Sequence, residues 1–137
     1  PELPPQAVST GLPTLVVPVG EAAAVARAVP DLEAVAALLD RCGARSFYLA
    51  HCEPERGRAR ARMFSGLVGG GEDPATGSAA GPLCAYLAER AGEQRVEIVQ
   101  GVEMGRPSRI LCELEGDRVR VGGGVVLVVE GEVLLGG

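Results

Sequence analysis

The residues of this chain with the clearest chemical potential lie in one short segment, residues 69–81. A run of glycines opens the segment, and the polar or ligand-accessible residues after it are Asp73, Thr76, Gly77 and Ser78. The start of a helix leaves about four backbone N–H groups unpaired and carries roughly half a positive charge. Because Gly77 lacks a Cβ, a ligand could approach the backbone closely, and two neighbouring hydroxyls add further donors. The segment therefore predicts a site for a carboxylate or phosphate group.

From these residues alone, Asp73 is open to three interpretations. Asp is a common helix N-cap, so the first is a purely structural role at the start of the helix. The second is an anion-binding site whose donors are the helix start and the hydroxyls beside it. The third is a catalytic carboxylate that takes up or gives a proton.

The helix that would position this site is predicted over residues 76–91. Its residues are nearly all small or apolar until Glu89 and Arg90. A helix that is apolar around its whole circumference has to be buried on all sides. Pro82 lies near the start, where it removes at most one helical hydrogen bond. We therefore expect a central helix enclosed by the rest of the chain.

Strands are expected to enclose that helix. Apolar or alternating runs predict strands at 14–19, 46–52, 58–64, 95–100, 108–115, 118–121, 125–129 and 133–135, with further helices at 21–28 and 31–42. Asp31 is a plausible N-cap for the second of these helices, and Gly43 a stop signal. Hairpin-type turns at 116–117 and 131–132 predict an antiparallel meander after the central helix. The predicted fold class is α+β, with an antiparallel sheet curled as an open barrel around one buried helix.

Arginines alternate with small apolar residues along the strand predicted at 58–64. Arg58, Arg60 and Arg62 would share one face of it, because side chains in a strand point to opposite faces in turn. The simplest interpretation is a solvated face. A nucleic-acid-binding stripe is the alternative, but a formal charge of −5 and 3% aromatic residues argue against it.

Length and composition limit the domain organisation and the kinds of functional site that this chain can have. The 137 residues predict a single domain over 1–137 with a linker-like segment at 1–8. There is no Lys, which excludes Schiff-base and P-loop lysine chemistry, and a single His, which disfavours metal and triad sites. No apolar run reaches the ~18 residues of a membrane span, so a cytoplasmic protein without nucleic-acid or membrane partners is expected. The four Cys lack metal spacing and are predicted to be free and buried, although a Cys42–Cys52 disulfide stays open.

Residues 72–83 (EDPATGSAAGPL) resemble the signature of the phenazine-biosynthesis F-type isomerase family, the PhzF-like proteins, whose fold is similar to that of diaminopimelate epimerase. Other stretches are similar to that family in the same order along the chain. They are residues 9–13, 16–19, 62–64, 100–101, 104–108, 119–123 and 130–133. The resemblance therefore covers almost the whole chain.

The resemblance implies one half of a two-domain enzyme. Family members have two similar domains with the active site between them, and this chain is similar to the second, C-terminal domain. The main acid–base residue of the family, a Glu, comes from the first domain. The resemblance assigns Asp73 to the position of a catalytic Cys in the epimerases, and Gly77 and Ser78 to binding a substrate carboxylate. The Thr76 hydroxyl joins the predicted substrate-binding residues as a donor at the helix start. The resemblance implies no metal and no cofactor.

The function expected from this resemblance is a cofactor-independent isomerase or epimerase that shifts a proton on a small carboxylate-bearing metabolite. The expected partners are an N-terminal companion domain, in the same or a second chain, and further copies of the protein. The isolated chain would then be inactive. The alternative is a catalytically silent domain of the same fold that binds anions or a partner.

Overall fold

A computed structural model describes residues 2–69 and 71–134. In these residues the strands are β1 (Gln6–Ser9), β2 (Pro13–Pro18), β3 (Ser46–Glu53), β4 (Arg58–Phe64), β5 (Glu72–Asp73), β6 (Arg95–Gln100), β7 (Ser108–Glu115) and β8 (Arg118–Gly123). The helices are α1 (Ala22–Arg27), α2 (Leu32–Cys42) and α3 (Gly77–Ala91), with a 3₁₀ turn at Pro54–Arg56. None of these helices is long and apolar enough to cross a membrane.

The strands form one sheet in the order β1-β2-β3-β4-β6-β7-β8, and the short β5 pairs with β4. The meander β6-β7-β8 is antiparallel as predicted, but the pairs β2–β3 and β4–β6 are parallel. Parallel neighbours need a long crossover. Helices α1 and α2 provide it between β2 and β3, and α3 provides it between β4 and β6. The periodicity of a strand does not report the direction of its neighbour, so the sequence could not reveal this.

Helix α3 lies inside the curl of the sheet. Strands from both ends of the sheet contact it, namely β1 and β2 on one side and β6, β7 and β8 on the other. The buried residues of α3 are Ala79, Ala80, Gly81, Pro82, Leu83, Cys84, Tyr86 and Leu87. Burying a large apolar side chain contributes about 1.5–3 kcal/mol, so the enclosed helix organises the core. The predicted fold class, a curled sheet around one buried helix, is confirmed.

The local signals around α2 are also confirmed. The Asp31 carboxylate accepts hydrogen bonds from the backbone N–H groups of Glu33 (3.1 Å) and Ala34 (3.0 Å), as an N-cap does. The helix ends at Gly43, whose φ of 64° is left-handed backbone that favours glycine.

Both ends of the chain differ from the sequence-based expectation. The linker-like segment is shorter than residues 1–8, because Gln6–Ser9 form β1 and the Tyr86 hydroxyl donates to the carbonyl oxygen of Pro4 (2.8 Å).

The prediction of a strand at 125–129 is wrong, since these residues have no regular structure and are 79–93% exposed. The strand predicted at 133–135 is absent over 133–134, and Leu135 lies outside the described residues. Apolar β-branched residues form a strand only where a sheet edge pairs with them.

The four cysteines are free, so Cys42 and Cys52 do not form a disulfide. Cys84 and Cys112 are buried and Cys52 is half-buried, whereas Cys42 is exposed, against the prediction that all were buried. Burial raises the pKa of Cys84 to about 11 and the pKa of Cys52 and Cys112 to about 12.

We expect one fast-reacting thiol at pH 8. With a pKa near 11, only about one Cys84 thiol in a thousand is a thiolate at that pH, and the thiolate is the nucleophile. Cys42 should therefore react with a maleimide far faster than the other three, as followed by intact mass. Cys42→Ser should abolish the fast phase. Fast labelling of Cys84 or Cys112 in the native protein would contradict the packing described here.

Candidate functional site

The glycine-rich segment places the start of α3 at the surface. After β5, which pairs with the end of β4, the chain turns through Pro74 and Ala75 and enters the helix at Gly77. Gly77 and Ser78 are exposed, and Asp73 is half-buried. No hydrogen bond from the backbone N–H of Gly77 or Ser78 is formed to any described residue. The predicted anion-ready helix start is thus open to solvent.

Asp73 is not the N-cap of this helix. The N-cap is Thr76, and its side chain makes no capping hydrogen bond. The Thr76 hydroxyl instead donates to Oδ2 of Asp73 over 2.5 Å. The structural interpretation of Asp73 as a plain cap therefore does not hold. Its carboxylate lies beside the helix start, held by a hydroxyl rather than by the helix backbone.

Two buried polar residues that the sequence did not single out lie beneath Thr76. The Gln100 side-chain amide donates from Nε2 to Thr76 Oγ1 (2.9 Å) and to the backbone oxygen of Asp73 (2.7 Å). The Tyr48 hydroxyl donates to Gln100 Oε1 (2.9 Å). Burial, with smaller contributions from nearby thiols and Asp73, raises the pKa of Tyr48 well above its usual value, so it stays a donor. The only available signal was Gln100 in the stretch similar to the family.

The loop after β6 fixes the turn that precedes α3. Gly101 has a φ of 78°, and a Cβ there would lie 2.4 Å from the backbone oxygen of Arg106 and 2.6 Å from that of Pro74. Only glycine allows this approach. Ser108 adds a hydrogen bond from its hydroxyl to the same Pro74 oxygen (2.8 Å). The turn is therefore held from a second element, and its backbone is not free to shift.

Arg62 holds the other side of the segment 69–81 through its ion pair with Glu72. Its position also corrects the sequence-based expectation for the row of arginines. The row of arginines was expected on a solvated face, but Arg62 is only 8% exposed. Its guanidinium donates to both carboxylate oxygens of Glu72 (2.7 and 2.8 Å) and to the backbone oxygen of Ala28 (2.7 Å). The hydrogen bonds to Glu72 raise the pKa of Arg62, and burial opposes this rise. Helix α1 covers this end of β4, which the period of one strand cannot show.

Two open clefts border the start of α3. One, of about 670 Å³, is lined by Ser9, Thr10, Gly77, Ser78, Ala85, Leu114, Asp117, Arg118, Val119 and Val121. The other, of about 590 Å³, is lined by Ala75, Ser108, Arg109 and the glycines at 122–124 with their neighbours. A larger cleft of about 770 Å³ lies against β6, β7 and β8 and includes no residue of the segment 69–81. We place the site at the helix start because the unpaired donors and the carboxylate meet there.

Packing does not explain why residue 77 is glycine. A Cβ at Gly77 would meet only Val121 Cγ1, at an ordinary 3.6 Å. At Gly81 in the same helix, by contrast, a Cβ would lie 2.8 Å from Thr10 Oγ1. The fold therefore leaves space for a Cβ at Gly77, and the binding of a ligand over this residue stays a prediction. The structure brings all four predicted site residues together at one end of α3.

Comparison with known proteins identifies the family of this chain. The family model described as phenazine biosynthesis-like protein (PhzC-PhzF) matches residues 1–131. A trans-2,3-dihydro-3-hydroxyanthranilate isomerase from Pseudomonas chlororaphis is 39% identical over 96% of this chain and 45% of that relative. An uncharacterised isomerase from Deinococcus radiodurans is 39% identical over 94% of this chain and 45% of its own length.

A solved structure gives the same result for the fold. A predicted epimerase from Pseudomonas aeruginosa superposes with a TM-score of 0.72 at 43% identity, covering 98% of this chain and 46% of that one. This chain spans about half the length of the relatives it matches.

Proposed function

Because this chain belongs to the phenazine biosynthesis-like (PhzC-PhzF) family, we propose that it supplies one wall of the active site of a cofactor-independent isomerase. The substrate is a small metabolite that carries a carboxylate, and the reaction is a proton shift. One observation carries the proposal: the Asp73 carboxylate lies beside a helix start whose N–H groups at Gly77 and Ser78 are exposed and unpaired among the described residues.

The chemistry divides between binding and proton transfer. The N–H groups of Gly77 and Ser78 and the Ser78 hydroxyl hold the substrate carboxylate at the helix start. A C–H bond next to the acid group or an alkene breaks, its proton goes to a base, and its electron pair moves toward the carboxylate. The helix start stabilises that negative charge. A proton is then delivered to another carbon, so atoms and charge balance. Asp73 is one of the two groups that exchange a proton with the substrate.

The second wall comes from a companion half. The chain spans about half the length of its relatives, and the family resemblance assigns the other acid–base residue, a Glu, to that half. The exposed apolar residues at 125–129 follow the end strand β8 and suit contact with such a partner. Assembly into a homo-oligomer and a cytoplasmic location belong to the same proposal. The intact mass of the protein in cells distinguishes one polypeptide from two.

The relative from Pseudomonas chlororaphis supplies the first substrate to test. Its name identifies trans-2,3-dihydro-3-hydroxyanthranilate, a cyclic amino acid whose carboxylate fits the class proposed here. Incubating the assembled protein with this compound in D₂O should produce the isomer with deuterium bound to carbon, as detected by NMR. If the assembled protein and the 137-residue chain both bind the compound, and neither isomerises it nor incorporates deuterium, the alternative of a catalytically silent anion-binding domain is favoured.

Substitution of Gly77 tests the carboxylate-binding half of the proposal. Gly77→Val adds a branched side chain beside the exposed N–H groups, at a position where a Cβ makes only an ordinary contact with Val121 (3.6 Å). Loss of a hydrogen bond to a charged group is worth about 1.5–3 kcal/mol, so KM should rise by roughly tenfold or more. Gly20→Val is a matched control, because no other group lies within 4 Å of a Cβ there. An unchanged KM in Gly77→Val would place the carboxylate elsewhere.

A further inference from the structure

The Tyr48–Gln100 pair is unusual for the core in which it lies. Both residues are almost fully buried, at 0% and 1% exposure, among apolar side chains. A buried polar group costs free energy unless hydrogen bonds satisfy it. Here the pair is satisfied: the Gln100 side chain makes four hydrogen bonds, to the Tyr48 hydroxyl, the Thr76 backbone N–H, the Thr76 hydroxyl and the Asp73 backbone oxygen. Three of these four bonds lead toward the candidate site.

The direction of each hydrogen bond is fixed. A rotated Gln100 amide would place its oxygen 2.7 Å from the backbone oxygen of Asp73, two acceptors in contact, so only one orientation fits. The Gln100 NH₂ group therefore donates to Thr76 Oγ1, which leaves the Thr76 hydroxyl proton to donate to Asp73 Oδ2. The donors run in one direction, from Tyr48 through Gln100 and Thr76 to the carboxylate.

We infer that Tyr48 and Gln100 are positioning residues that orient the Asp73 carboxylate through the Thr76 hydroxyl, an inference that rests on the proposed acid–base role of Asp73. Asp73 lies on β5, which is only two residues long, so its own element restrains it weakly. Hydrogen bonds to its backbone oxygen and to its carboxylate restrain it at two points. A small displacement of a reacting group lowers the rate strongly, so this restraint bears on the turnover rate rather than on binding.

Tyr48 keeps its donor role over the working pH range, because burial raises its pKa well above the usual value. A second donor hydroxyl in the same core serves as a reference. Tyr86 is also buried, and its hydroxyl donates to the backbone oxygen of Pro4 (2.8 Å), with no link to Asp73. Replacing either Tyr with Phe removes one hydroxyl from the same core. A difference between the two variants therefore reports the connection to the site and not the loss of a hydrogen bond.

The first measurement uses the 137-residue chain without substrate. We expect NMR couplings of Asp73 to show one side-chain rotamer in the unmodified chain and in Tyr86→Phe. Tyr48→Phe and Thr76→Val should show mixed rotamers, and Thr76→Ser, which keeps the hydroxyl, should restore a single one. Tyr48→Phe carries the test in preference to a Gln100 variant, because removing the four hydrogen bonds of Gln100 could unfold the chain.

The second measurement uses the assembled isomerase. Tyr48→Phe should lower kcat about tenfold with KM within about twofold, whereas Tyr86→Phe should change neither. A single Asp73 rotamer in Tyr48→Phe, or a kcat equal to that of Tyr86→Phe, would overturn the positioning role. Failure of the proposed function looks different: no deuterium enters the substrate in the unmodified enzyme, or Asp73→Asn leaves its incorporation unchanged, whatever the rotamers show.

Discussion

Asp73→Asn in the assembled isomerase is expected to slow deuterium incorporation into the substrate by a factor of about 10²–10⁴, the usual contribution of a positioned acid–base group. The amide has nearly the same shape as the carboxylate but cannot take up or give the proton. The Thr76 hydroxyl can still donate to the amide oxygen, so the local geometry is kept. The defect should therefore appear in the rate of proton exchange and not in the fold.

A matched substitution separates this effect from a general change in charge. Asp40 is exposed near the end of α2 and its side chain makes no hydrogen bond to a described residue, so Asp40→Asn removes the same charge outside the site. It should exchange deuterium at the rate of the unmodified enzyme. Thermal unfolding of both variants checks that the fold is intact. Exchange in Asp73→Asn within twofold of the control would remove Asp73 from the mechanism.

The candidate site was predictable because its signals are local. Asp73, Thr76, Gly77 and Ser78 are close in sequence, and the apolar composition of α3 requires burial on all sides. A helix that must be enclosed, with a glycine-rich segment before it, indicates both the curled sheet and the exposed helix start. The resemblance to a family then supplied the function class, which no periodicity of strands or helices could have specified.

What the sequence did not reveal depends on contacts between distant residues. Gln100 meets Thr76 only because β6 lies beside β4 in parallel, and that pairing requires α3 to cross over. Arg62 is buried because α1 covers its end of the strand, although its alternation with alanine is typical of a solvated face. The run at 125–129 shows the converse. Its composition favours a strand, but no strand in the described part of the chain pairs with it.

The largest effect on stability is expected at Arg62. Its guanidinium joins three elements: β4, which carries it, β5 through Glu72, and the end of α1 through Ala28. Arg62→Leu would leave the Glu72 carboxylate, itself only 17% exposed, without its partner. Breaking a buried ion pair by removing one partner costs about 3–5 kcal/mol. Urea unfolding of the 137-residue chain should show a loss of that size in the free energy of unfolding.

Two further variants locate the cause of that loss. Arg58→Leu makes the same substitution on the same strand at an exposed position and should change stability by less than about 0.5 kcal/mol. The double variant Arg62→Leu with Glu72→Leu also removes the unpaired Glu72 carboxylate and should recover part of the lost free energy of unfolding. Replacing both partners of a buried ion pair with apolar residues is far less costly than leaving one charge unpaired. If the double variant is less stable than Arg62→Leu alone, the ion pair is not the cause. Because Glu72 immediately precedes Asp73 in β5, the same double variant should also retain more of the proton exchange than Arg62→Leu does.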